Sequence, residues 1–157
     1  KNKNPLTTLK ALEIFNAQNI DWRFNIVGKV INQTIYEKLI DNPKVIYHGF
    51  IKKDLLINLL RSCDIFILPS KNETFGISYL EAMSQGLPII YSAGQGFDKL
   101  FKDGHVGFKA SYNNPQEIAK KVVKILKNYD KMSKNATSSV KQFCWEKIAD
   151  EYINKIY

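Results

Sequence analysis

The sequence predicts an α/β chain with a parallel sheet, and three observations carry that prediction. Short apolar runs rich in β-branched and aromatic residues alternate with segments whose apolar residues recur at helical spacing. The connections between them are only a few residues long, as in successive βαβ units. The early strand candidates end in glycine, at Val27-Gly28 and at His48-Gly49, which places their loops on the carboxyl edge, where such sheets bind ligands.

Taken in order, Asn4 reads as an N-cap and Pro5 as a first helical residue, with Leu6, Leu9, Leu12 and Phe15 forming an apolar stripe. Lys3 therefore stands beside a helix N-terminus, where a cation and free amides can hold a phosphate together; its plainer reading is a solvated lysine. Phe24 to Gly28 is a short strand, followed by a polar helix to about Leu39 or Ile40. Lys44 to Phe50 is a second strand, and a helix from Lys53 to Arg61 directs Leu55, Leu56, Leu59 and Leu60 toward the core.

The next unit carries the chemistry. Asp64 to Leu68 is a buried strand, followed by a polar turn, a helix capped by Thr74 and stopped by Gly86, and a buried strand from Leu87 to Tyr91. Glu73 falls in the turn. Glu81 falls about five residues into the helix, roughly 7 Å deeper along its axis. Between them the free N–H groups of Phe75, Gly76 and Ile77 would face out of the helix start, an end that attracts anions. A ligand with phosphate in the middle and hydroxyl-rich groups at both ends fits this layout, and a nucleotide-sugar is such a ligand.

Tyr91 to Phe101 reads as a glycine-rich loop leading into a short helix, and Lys102 to Phe108 as a turn into a last short strand. Pro115 opens an amphipathic helix with Ile118, Val122, Ile125, Leu126 and Tyr129 inward and Lys120, Lys121, Lys124 and Lys127 outward. The segment from Trp145 to Tyr157 again has helical spacing, through Ile148, Tyr152 and Ile156.

At 157 residues the chain, 1–157, is expected to be a single domain with a sizeable core. Its net charge of +8 comes from lysines spread among apolar positions rather than interleaved with aromatics. Solvated surface is the reading this favours; nucleic acid is not expected as a partner, and a peripheral membrane contact is the minority reading. No stretch reaches the roughly 18 consecutive apolar residues of a membrane-spanning helix. Cys63 and Cys144 form neither a metal spacing nor a disulfide framework, so the expected location is cytoplasmic, extending to the inner face of the cell membrane.

The central unit also resembles a known family. Pro69-Ser70, Glu73, Phe75-Gly76, Glu81-Ala82-Met83, Gly86 and Pro88 are similar to the Glu-x7-Glu signature of the retaining GT-B glycosyltransferases, family-4-like. The similarity runs from Lys3 to about Tyr129. It implies a Rossmann-like three-layer α/β/α domain, the C-terminal, donor-binding half of a two-domain enzyme that binds a UDP- or GDP-sugar. That enzyme would move a hexosyl group to a glycan or lipid-linked acceptor. By resemblance, Lys3 holds the diphosphate, Glu81 the ribose hydroxyls, and Glu73 faces the transferred sugar as the catalytic carboxylate. The backbone of Phe75, Gly76 and Ile77 meets the phosphates or sugar, and the main chain near Phe50 lies by the base. No metal or other cofactor is expected. The Gly94-Gln95-Gly96-Phe97-Asp98 loop looks like a variant of capsule and surface-polysaccharide transferases.

There are departures. The family's opening strand and the arginine after it are not in this sequence, nor is an acceptor domain, so the chain is expected to begin inside a larger protein. As a lone donor half it is expected to bind a nucleotide-sugar and to transfer poorly or not at all. Lys99 stands where the family often has glutamate. Two other readings are open: a relative that epimerises and hydrolyses sugar-nucleotides in the same site, and a non-catalytic basic α/β module that binds partners or membrane.

Overall fold

The computed structural model describes residues 2–156, without the side chains at positions 145, 146, 148, 151 and 156. The helices are α1 (Pro5–Glu13), α2 (Gln33–Ile40), α3 (Lys53–Arg61), α4 (Ile77–Ser84), α5 (Pro115–Leu126), α6 (Tyr129–Val140) and α7 (Trp145–Ile156). The strands are β1 (Phe24–Ile26), β2 (Val45–Tyr47), β3 (Phe66–Leu68), β4 (Ile89–Ser92) and β5 (Gly107–Ala110). All strand pairs are parallel, as the alternating pattern predicts, but the described strands form two sheets, β1-β2 and β3-β4-β5.

Side-chain alternation along the strands builds three layers. In β3 and β4, Ile67 and Ile90 point to one face, where they meet Leu9, Leu12, Leu39, Ile118, Val122 and Ile125 of α1, α2 and α5. Phe66, Leu68, Ile89 and Tyr91 point to the other, toward Leu60 of α3, Ala82 and Met83 of α4, and Ala136 of α6. Phe24, Ile26 and Val45 of the smaller sheet pack into the first of these clusters. The two sheets thus share one core without sharing a hydrogen-bonded ladder among the described residues.

Several local expectations change. The strand from Asp64 to Leu68 was expected to be buried, but β3 is half-buried throughout, whereas β4 is buried at every position. Beyond β3 lies no second hydrogen-bonded neighbour among the described strands. Leu55 and Leu126 are exposed rather than inward. Leu126 follows Ile125 by one residue, a turn of about 100° on a helix, which carries it off the stripe. The expected short helix before Phe101 is a run of turns, in which Phe97, just after Gly94 and Gly96, is drawn into the core. In the terminal helix Tyr152 is exposed, and Ile148 and Ile156 lie outside the described side chains.

α6 has no counterpart in the sequence reading. It buries only Met132 and Ala136, and its small residues let it lie close on the end of α4, with Ser133 and Thr137 beside Gly86. No helix of the described residues is long and apolar enough to cross a membrane.

Candidate functional site

The site lies at the carboxyl edge of β3 and β4. After β3 the chain turns sharply: Ser70 N–H donates to the Leu68 carbonyl (2.8 Å), and the Ser92 hydroxyl, from the end of β4, donates to the Ser70 carbonyl (2.6 Å). Ser70 is fully buried, so this turn sits on the core rather than floating above it. Tyr79 supports it from below, its hydroxyl donating to the Leu68 carbonyl at 2.6 Å. Burial, aided by the Glu73 charge, pushes the Tyr79 phenol up to about 12 from its ordinary 10.0, so it is a neutral donor across the physiological range.

α4 does not start as expected. Thr74 does not cap it; Gly76 does, with no side-chain capping bond, in the left-handed conformation (φ 83°). A Cβ at Gly76 would stand 2.3 Å from the Tyr79 ring, so both the backbone angle and the space demand glycine. The helix start is therefore at Ile77, with Gly76 as its N-cap and Phe75 just before it. Phe75 turns its ring edge-on to Phe143, with centroids 6.0 Å apart. Ile77 is exposed.

Two of the expected site residues, far apart in sequence, meet directly. Lys3 Nζ lies 2.6 Å from Glu73 Oε2, and the Glu73 side chain is 10% exposed against 52% for Lys3. Ser70 Oγ donates to the same carboxylate oxygen at 3.3 Å. Lys3 is held there by its neighbours. Asn2 clamps the turn: Lys71 N–H donates to the Asn2 carbonyl (2.8 Å), Asn72 N–H to Asn2 Oδ1 (2.9 Å), and Asn2 Nδ2 to the Asn72 carbonyl (2.8 Å). Asn4 occupies the N-cap position of α1, but in a left-handed conformation and without a capping bond. Its amide donates instead to the Tyr112 carbonyl.

The remaining candidates are placed separately. Glu81, the fifth residue of α4, is exposed and lines a crevice of about 120 Å³ between α3 and α4 with Lys53, Leu56, Ile57 and Leu60. Phe50 stands past the end of β2, on the other sheet; it is 77% exposed, with Lys29 Nζ 5.9 Å from its ring centroid. Among the described residues no group of three or more His, Cys, Asp or Glu side chains converges as a metal site would require.

Sequence reasoning missed two contributors. Asn2 gave no signal, since its partners are 70 residues away. Gln95 was visible only as a residue of the glycine-rich loop, yet its Oε1 accepts from Glu73 N–H at 3.0 Å. A polar side chain between two glycines on the carboxyl edge is the signal that could have drawn attention to it. Lys99, which stands where the family often has glutamate, is exposed, and it is Asp98 that braces the loop, accepting from Gly94 N–H at 2.7 Å.

Chemically, the arrangement offers a cation beside a shielded carboxylate at a helix start, and a second, free-standing carboxylate farther along a crevice. Comparison with known proteins gives this a context. The chain is 34% identical over 115 residues to an uncharacterized glycosyltransferase of Methanocaldococcus jannaschii, an overlap of 71% of this chain and 30% of that protein. It is 32% identical over 131 residues to the alpha-monoglucosyldiacylglycerol synthase of Acholeplasma laidlawii, covering 79% of this chain and 32% of the relative. The chain thus spans about a third of the length of these curated relatives. Its fold matches the pneumococcal O-GlcNAc transferase GtfA, solved in complex with UDP and GlcNAc, with a TM-score of 0.82 at 17% identity, over 98% of this chain and 33% of that one. The α/β fold with parallel sheets is accordingly that of the GT-B glycosyltransferases. The model of the family described as "Glycosyl transferases group 1" matches residues 1–142, and the chain belongs to that family.

Proposed function

We propose that this domain binds the nucleoside-diphosphate sugar donor of a retaining, family-4-like hexosyltransferase, through the Glu-x7-Glu pair Glu73 and Glu81. The observation that carries the reading is the meeting of Lys3 and Glu73 at 2.6 Å beside the start of α4, the helix that also carries Glu81. A diphosphate lying across the helix start would take Lys3 as its counter-charge and the first amides of α4 as donors. Glu81 would accept the ribose hydroxyls, each a charge-assisted bond. Glu73 would then face the anomeric carbon, where its charge stabilises the positive character that develops as the diphosphate departs. Lys3 and the helix amides neutralise the leaving group, so this chemistry proceeds without a metal.

The match to a transferase solved with UDP and GlcNAc supports a nucleotide-sugar donor and favours UDP over GDP as the first ligand to try. The acceptor would be a glycan or a lipid-linked molecule carried by the rest of the enzyme, in the cytoplasm or at the inner face of the membrane. The family also includes a relative named for a glucosyldiacylglycerol product, which is consistent with a lipid acceptor; a capsule-type role rests on the Gly94 to Asp98 loop alone.

The test is calorimetric titration of this chain with UDP, GDP and their sugars, beside Glu81→Ala. The expected result is binding that Glu81→Ala weakens about tenfold or more, as follows from losing charged hydrogen bonds of roughly 1.5–3 kcal/mol. Equal affinity in the two proteins would remove Glu81 from the site. A folded full-length protein that binds no nucleotide would overturn the reading in favour of a non-catalytic module.

A further inference from the structure

The loop between β4 and β5 is built as a rigid bracket. Phe97 is 1% exposed, with ring centroids 4.8 Å from Tyr79 and 5.3 Å from Tyr91, which anchors the loop in the aromatic cluster beneath the site. Asp98 closes it: one carboxylate oxygen accepts from Gly94 N–H at 2.7 Å, and the other lies 3.2 Å from Lys109 Nζ. Gly96 is pressed against the turn so closely that a Cβ would stand 1.5 Å from the Thr74 carbonyl oxygen, and its N–H donates to the Glu73 carbonyl at 3.0 Å.

Between the two glycines, Gln95 reaches the same residue, its Oε1 accepting from Glu73 N–H at 3.0 Å. Because the partner is an N–H, the carboxamide must turn its oxygen toward it, so chemistry fixes the orientation of the amide. Both main-chain polar groups of Glu73 are therefore held by this one loop, while its carboxylate is held by Lys3 and Ser70. The backbone grip sets where the carboxylate can point, and nothing in it touches Glu81 or the α3–α4 crevice.

We infer that Gln95 is a positioning residue for Glu73: its side-chain carbonyl pins the Glu73 amide and so fixes the carboxylate against the reacting sugar. This rests on the donor-site reading above. It makes a sharp demand on kinetics, because displacing a reacting group by about 1 Å can cost on the order of a hundredfold in rate while leaving ligand affinity alone.

The experiment uses the full-length protein, with UDP, UDP-glucose, UDP-galactose and UDP-N-acetylglucosamine as probes. It compares wild type, Gln95→Met, which keeps the length but loses the acceptor, and Gln95→Glu, which keeps an oxygen facing the Glu73 amide. Gln95→Met is expected to lose roughly ten- to hundredfold in kcat with KM for the donor and Kd for UDP within about twofold. Hydrogen exchange at the Glu73 amide should quicken in Gln95→Met and stay slow in Gln95→Glu, which should also retain more kcat. A merely structural role would lower stability and move KM with kcat. Unchanged kcat in Gln95→Met, in a protein whose wild type turns over, overturns this inference and leaves the donor reading intact. A UDP affinity that falls as steeply as kcat also overturns it, since Gln95 would then be a nucleotide contact. A wild type that binds none of the probes overturns the donor reading and this inference together.

Discussion

Glycine at position 96 is dictated by a neighbour rather than by its own backbone. Alanine there would drive a methyl carbon into the Thr74 carbonyl, 1.5 Å away, and backbone oxygen cannot yield as a side chain can. Gly96→Ala should therefore cost roughly 1–3 kcal/mol, read as a lower urea midpoint at unchanged m-value. A different argument applies to Lys3 and Glu73. The ion pair is half open to water on the lysine side, so it is worth no more than about 1 kcal/mol, and on the proposed function a ligand phosphate would compete with it. Glu73→Gln removes that competitor. The expected outcome is UDP binding tightened by roughly two- to fivefold together with a loss of turnover; weaker UDP binding in calorimetry would mean that Glu73 itself supports the phosphate. Glu73 and Glu81 were legible in sequence because they belong to one strand–turn–helix unit with fixed spacing. Gln95 and Asn2 were not, since their bonds to that unit span 22 and 70 residues and leave no local period.

Helices α1, α3 and α5 followed from apolar spacing, with Pro5 and Pro115 at first turns, and α2 from a polar stretch between strands; the bonded N-caps Asn32 and Asn114 came only with the structure. α6 was invisible because its packing face consists of Met132, Ala136 and small polar residues, which periodicity of large apolar side chains does not register. Its contribution is concentrated accordingly. Met132→Ala should destabilise the domain by roughly 2–5 kcal/mol, while Lys134→Ala, on the exposed side, should stay within about 0.5 kcal/mol; denaturant melts of the two variants check the contrast. The start of α4 escaped prediction for a steric reason. Thr74 is a good capping residue by type, but the left-handed step falls two residues later, at Gly76, where the Tyr79 ring leaves room for glycine alone.

At the scale of the whole molecule, parallel α/β architecture and the order of elements were readable from alternation and loop length. The division into two sheets was not, because strand pairing across the core leaves no mark on any single strand. Unequal protection is the expected outcome: the amides of β4, paired on both sides and fully buried, should exchange slowest, and those of β1 and β2 appreciably faster. Uniform exchange across the five strands would contradict the division. Alkaline stability follows from Tyr79. Its pKa is raised from 10.0 to about 12 in the fold, and burial raises that of Tyr91 in the same direction. Above about pH 10 the unfolded chain releases phenolic protons that the folded one keeps, so stability is full below that pH. It then declines through about pH 12, at up to roughly 1.4 kcal/mol per pH unit for each tyrosine. Urea midpoints across that range, with Tyr79→Phe showing a shallower decline, measure it.

The clamp of Asn2 on the 71–72 turn has a mechanical meaning. The segment ahead of α1 is tied at Asn2 to the 71–72 turn and at Lys3 to the catalytic candidate Glu73. Tension applied to that segment is carried first by four hydrogen bonds and one ion pair at the rim. Those are expected to give way before the buried helices and β4. On the proposed function the stretch from Asn2 to Asn4 is in that sense a handle fastened to the site, and pulling on it is expected to disarm the site before it unfolds the protein.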